Sequence, residues 1–155
     1  MKLNGQSEAI ENVNTLTFDV FGTVLDLAGS LVPPLEKLLK ECNTPESLTG
    51  ADVWNQWRLR QRLEQYQDNI IMLGHSGYLE VKKRALLYTL RLLKIEFTYE
   101  KVDEFMKAYH ELIPFQDAVA GLKRLVTKYR LVILSNGEEW YLKQLVKNNI
   151  GIDFN

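Results

Sequence analysis

The sequence predicts an α/β protein, a parallel Rossmann-like sheet core interrupted by an inserted helical cap. Three observations lead there. A β-prone run at residues 14–18 ends on a lone aspartate, Asp19, followed by the bend-permitting pair Gly22-Thr23. A second run, Leu131 to Leu134, is continuously apolar and is broken by Ser135, Asn136 and Gly137. Between them almost everything from about Leu31 to Lys128 has the spacing of helices.

Taken in order, Asp19 falls at the carboxyl tip of the first strand, the edge of a parallel sheet where side chains are presented to a ligand crevice. Asp26 then braces the loop or the next helix. "LVPPLEKLLKEC" is a helix broken by Pro33-Pro34, and "ADVWNQWRLRQRLEQYQDNIIML" is a long one stopping at Gly74. A third starts near Gly77 with Leu79, Leu86, Leu90 and Leu93 at helical spacings. Thr98 is the N-cap of "YEKVDEFMKAYHEL", and "IPF" at 113–115 is a linker. A helix through "QDAVAGLKRLVTKY" sends Val119, Leu122, Leu125 and Val126 to the core. After the second strand, "EEWYLKQLVKNNIG" closes on Gly151 as a C-cap.

A strand-to-strand crossover needs about a dozen residues, but more than a hundred separate the two strand tips. The excess is an insertion. The sequence therefore divides into a core of 14–28 and 114–155 and a helical cap of 29–113, which would shield the strand tips from water.

Composition narrows the function. The chain has 155 residues, is 46% hydrophobic and carries a net charge of −1 with the two signs interspersed, so it has no electrostatic footprint for nucleic acid. Its apolar runs are shorter than the roughly 18 residues of a membrane span, and residues 1–13 lack a secretory apolar region. Cys42 is the only cysteine, which fits a reducing cytoplasm and no disulfides. Cys42 is read as an unreactive thiol, and His75 and His110, without metal-ligand spacing, as structural.

The paired segments "FDVFGT" and "ILSNG", with "WNQWRLRQRLEQY" and "AYHELIPFQDAVAGLKRL" between them, resemble the haloacid dehalogenase superfamily and, within it, the L-2-haloacid dehalogenases. The resemblance runs from Leu16 onward. It implies that Asp19 is a nucleophile attacking a halogen-bearing carbon, giving an aspartyl ester that water hydrolyses. Superfamily phosphatases carry a second acid two residues later to protonate the leaving group; here Phe21 stands there. Halide leaves without a proton, so Phe21 suits dehalogenation and can instead shape an apolar pocket.

By the same resemblance Thr23 holds the Asp19 loop, Ser135 holds the substrate carboxylate, and Trp57 and Tyr78 belong to the substrate pocket. Arg58, with Asn136, stabilises the departing halide. Chemistry alone would pair the Arg58 guanidinium with the carboxylate, because its fork fits one bidentately; both roles stay open. The implied partner is a small halogenated carboxylic acid, with no cofactor and no metal, and a homodimer is allowed.

Two departures stand out. Leu59 replaces the glutamine that usually follows the arginine, and after "NNIGIDFN" the superfamily's lysine and final acidic motifs do not appear, so the chain is expected to be the N-terminal portion of a longer enzyme and, by itself, inactive as a dehalogenase. The leading expectation is hydrolytic dehalogenation of short 2-haloacids. A superfamily phosphatase and a non-catalytic fragment keeping the fold are the alternatives.

Overall fold

The computed structural model describes residues 12–70 and 76–154. It has the α/β class the sequence predicts. Strand β1 (Thr15–Phe18) pairs in parallel with β4 (Arg130–Ile133), with Phe18 opposite Ile133. Leu134 N–H donates to Phe18 O at 2.8 Å, so the ladder runs to the residue before Asp19.

The chain leaves β1 through a tight loop. Gly22 has φ of +88°, a conformation glycine adopts freely, and its N–H donates to Leu25 O at 2.9 Å. Loop closure buries Val20 and Val24. A two-residue strand, β2 (Leu25–Asp26), follows and pairs antiparallel with β3 (Ile113–Pro114). The expected linker at 113–115 is thus partly a strand, because the chain returning from the helices meets the chain entering them.

Helix α1 (Leu27–Glu41) is capped by Asp26, whose Oδ1 accepts from Gly29 N at 2.9 Å. It runs unbroken through Pro33-Pro34, contrary to the sequence reading. The burial of Leu31, Leu35, Leu38 and Leu39 on one face outweighs the bonds that the prolines delete. Helix α2 (Gly50–Ile70) opens with a capping box: Asp52 N donates to Thr49 Oγ1 at 3.2 Å and Thr49 N to Asp52 Oδ2 at 3.1 Å. The expected stop at Gly74, and His75, lie outside the described residues.

Helix α3 (Tyr78–Leu92) packs back along α2 in the opposite direction. Arg84 bonds Asp68 at 2.8 Å, and the Arg60 guanidinium lies 3.8 Å over the Tyr88 ring. Thr98 caps α4 (Tyr99–Met106), as its position predicts, and a 3₁₀ turn (Lys107–Glu111) carries the chain back to β3. Helix α5 (Gln116–Leu125) buries Leu122, but Val126, expected inside, is exposed. The second strand is less enclosed than its sequence implies: Leu131 is buried while Leu134 is 70% exposed. Among the described residues β4 has a neighbour on one side only, β1. Helix α6 (Glu139–Leu145) and one π turn (Val146–Ile150) end on Gly151, left-handed at φ +68°.

No helix among the described residues is long and apolar enough to cross a membrane.

Candidate active site

Asp19 follows β1 directly and is exposed. One of its oxygens, Oδ2, accepts from Thr23 Oγ1 at 2.9 Å, a bond spanning the loop that Gly22 turns. The other oxygen is left for chemistry. A carboxylate fixed by one oxygen at a strand end is a preorganised nucleophile, because its rotamer is set before a substrate arrives.

Beside it three aromatic rings are stacked. Phe21 lies parallel to Tyr78 at 4.1 Å between centroids and to Tyr141 at 5.8 Å. This stack joins the loop after β1, the start of α3 and helix α6. Burial pushes the Tyr78 hydroxyl well above its ordinary pKa, with Arg58 pulling it down and Asp19 adding to the rise. Tyr78 therefore stays protonated, and its ring lies within the electrostatic reach of both Arg58 and Asp19.

The stack is held by one contact across sixty residues. Tyr78 N–H donates to Glu138 Oε1 at 2.9 Å. Gly77 makes that approach available: its φ is +105°, and a Cβ there would stand 2.5 Å from the same oxygen. Gly77→Ala is expected to destabilise the fold by about 2 kcal/mol, from a strained φ and a displaced Glu138. Chemical denaturation with tyrosine fluorescence checks it.

Trp57, expected at the substrate, is fully enclosed. Its ring meets Trp54, Phe105 and Tyr109 edge-on, and Nε1 donates to Lys82 O at 3.0 Å, so it ties α2 to α3 and has no surface left for a ligand. Arg58, the next residue, is half-buried; Nη1 donates to Gln61 Oε1 at 3.0 Å and its guanidinium lies 5.5 Å from the Trp54 ring centroid. Ser135 is half-buried after β4, its Oγ accepting from Gly137 N at 3.4 Å, and Asn136 is exposed beside it. The structure thus groups Asp19, Phe21, Thr23 and Tyr78 with Arg58 nearby, and places Ser135 and Asn136 on the adjacent strand end. A groove of about 770 Å³ lined by Ile133, Ser135, Leu142, Val146 and Phe154 flanks β4 and includes neither Asp19 nor Arg58.

The helix periods held further signals. Gln61 lies four residues after Trp57 and Lys82 four after Tyr78, so the period puts Gln61 on the enclosed face of α2 and Lys82 on the face of α3 that carries Tyr78. Glu138 had no such signal, since only the fold brings it to Tyr78. The Cys42 thiol is pushed up by burial, which suits an unreactive cysteine. His110 meets Gln144 Nε2 at 3.0 Å and Tyr141 edge-on, a structural setting.

Comparison with known proteins bears on this geometry. No protein-family model matches the chain. An (S)-2-haloacid dehalogenase of Xanthobacter autotrophicus is 29% identical over 136 residues, covering 88% of this chain and 50% of that protein. A defluorinating L-2-haloacid dehalogenase structure superimposes with a TM-score of 0.77 at 26% identity, covering 93% of this chain and 59% of that one. Sequence and fold both resemble those of the L-2-haloacid dehalogenases, in the haloacid dehalogenase superfamily. The L-2-haloacid dehalogenase of Xanthobacter autotrophicus with chloropropionic acid covalently bound also superimposes, at a TM-score of 0.71 and 26% identity, over 92% of this chain and 55% of that one. This haloacid dehalogenase-like chain spans about half the length of the curated relatives it matches.

Proposed function

We propose that the protein is a hydrolytic 2-haloacid dehalogenase working through an ester on Asp19, with residues 29–113 serving as a cap over a core of 14–28 and 114–155. The observation that carries this reading is the pair Asp19 and Phe21. The first is a carboxylate steered by Thr23; the second, where leaving-group protonation would need an acid, is a ring stacked on Tyr78.

The free oxygen of Asp19 attacks C2 of the haloacid from the side opposite the halogen. The carbon–oxygen bond forms as the carbon–halogen bond breaks, and halide departs with the bonding pair. Water then attacks the ester carbonyl, returning Asp19 to its carboxylate and releasing the 2-hydroxy acid and one proton. Ser135 and neighbouring amides hold the substrate carboxylate, and Arg58 with Asn136 neutralises the halide. The substrate's alkyl part lies against Phe21 and Tyr78. A single half-buried cysteine suits a cytoplasmic setting.

A version of the chain extended through the superfamily's lysine and final acidic motifs is expected to release chloride from 2-chloropropionate in the presence of EDTA and to hydrolyse aryl phosphates negligibly. Magnesium-dependent phosphate release exceeding dehalogenation would overturn the assignment in favour of a phosphatase. Arg58→Lys is expected to lower kcat/KM more than tenfold, roughly 2 kcal/mol, because a point charge replaces a planar fork. Unaltered steady-state kinetics in that variant would place Arg58 outside the site.

A further inference from the structure

Four residues from three parts of the chain close a circuit on the apolar side of the site. Glu138 Oε1 accepts the Tyr78 N–H at 2.9 Å, the Tyr78 ring is stacked on Phe21 at 4.1 Å, and Phe21 lies against Gly137, where a Cβ would stand 2.9 Å from Phe21 Cε2. Gly137 is the residue before Glu138, so the backbone completes the loop. Glu138 does not serve the helix it precedes. Its side chain makes no cap bond in α6; it reaches instead to α3, whose own cap residue, Gly77, has no side chain to offer. There the carboxylate meets the positive end of the α3 dipole, and its Oε2 is buried with no hydrogen-bond partner.

A buried polar atom left unpaired costs about 1–3 kcal/mol, so the half-satisfied Glu138 is a burden that its bond to Tyr78 has to offset. What the bond supplies is a fixed spacing. Ser135 and Asn136 stand immediately before Gly137, on the same loop that Glu138 ties to Tyr78. The loop assigned to the substrate's anionic groups and the ring assigned to its alkyl part are therefore held as one body, and Tyr78 cannot draw back without breaking the Glu138 bond and unstacking from Phe21. Rings stacked at 4.1 Å leave no room between them, so a substituent on C2 has only the fixed opening beside them to occupy.

We propose that Glu138 is a positioning residue for substrate specificity: by holding Tyr78 to the loop of Ser135 and Asn136 it fixes the width of the opening beside Asp19 and restricts the 2-haloacid to a short substituent on C2. The inference rests on the dehalogenase reading for the substrate. Glu138 touches no reacting atom and acts through Tyr78. Loss of its carboxylate frees the start of α3 to move away from Phe21, and longer alkyl chains then fit.

The bond is tested on the chain as it stands. Tyr78 is the first residue of α3, where an N–H has no partner within the helix, so protection of this amide from hydrogen exchange reports Glu138 alone. By NMR the amide is expected to exchange at least about tenfold faster in Glu138→Ala and near the unaltered rate in Glu138→Gln, whose side-chain carbonyl still accepts, while the Leu134 amide in the β1–β4 ladder is unchanged. Specificity is tested on the version extended through the superfamily's lysine and final acidic motifs. Its kcat/KM is expected to favour 2-chloropropionate over 2-chlorohexanoate by at least about tenfold, Glu138→Ala to reduce that ratio to about twofold, chiefly through KM for the longer acid, and Glu138→Gln to retain it. An unprotected Tyr78 amide, equal use of the two acids by the unaltered enzyme, or a Glu138→Ala variant that slows both acids in the same proportion would each overturn the proposal; the first two need no variant to fold. Failure of the dehalogenase reading has a different signature, halide release from neither acid with the Tyr78 amide still protected, and it removes the length filter along with that reading.

Discussion

Asp19→Asn is expected to reduce halide release from 2-chloropropionate by at least about four orders of magnitude, some 5.5 kcal/mol in the barrier. The substitution is nearly isosteric, and Thr23 Oγ1 can still donate to the amide oxygen, so the loop and the β1–β4 pair should persist. What disappears is the nucleophile: a neutral amide has no oxygen charge to form the ester. The unaltered protein offers the complementary measurement. In heavy-oxygen water a single turnover should put label into the Asp19 carboxylate before label accumulates in the hydroxy acid, because water attacks the ester at the aspartyl carbon. Label in the product on the first turnover would mean that water attacks the substrate directly and that Asp19 is a base.

The parts of the fold legible in the sequence are those set by short-range pattern. The β1 and β4 runs, the Thr98 cap and the left-handed Gly151 are each announced by residues beside them, and Asp26, read as a brace for the loop or the next helix, caps that helix. Features settled by distant partners differ from what local pattern implies. Pro33-Pro34 reads as a break, and only the enclosure of Leu31 to Leu39 keeps α1 continuous. Leu134 reads as core, but it lies at the end of a strand paired on one side and faces solvent. At the site, Asp19, Phe21 and Thr23 lie within one loop and could be grouped by eye. Trp57 could not be placed, since an indole near an arginine is equally suited to a pocket wall or to the interior, and here Phe105, Tyr109 and the Lys82 carbonyl enclose it. Lys82 and Lys83 are adjacent and identical in kind. Lys83 reaches Asp103 at 2.5 Å near the surface, whereas Lys82, one residue earlier on the helix, shares the inward face of Tyr78.

That inward lysine leads to an expectation about stability. Lys82→Met should stabilise the protein at pH 7 by up to about 3 kcal/mol, the equivalent of the fall of its ammonium from 10.5 to about 8. Below pH 8 the folded and unfolded chains both carry this proton, so folding bears the whole cost of burying the charge. Between about 8 and 10.5 the folded chain releases the proton while the unfolded chain keeps it, and the stability of the unaltered protein rises with pH relative to the variant. By pH 10.5 the two should differ little. Loss of the contact between the ammonium and the Tyr78 ring reduces the gain by about 1 kcal/mol, and a methionine on the same ring recovers part of that. Urea denaturation of both proteins from pH 7 to pH 10 measures the difference directly. A variant less stable than the unaltered protein at pH 7 would show that the Lys82 charge is already compensated inside the fold.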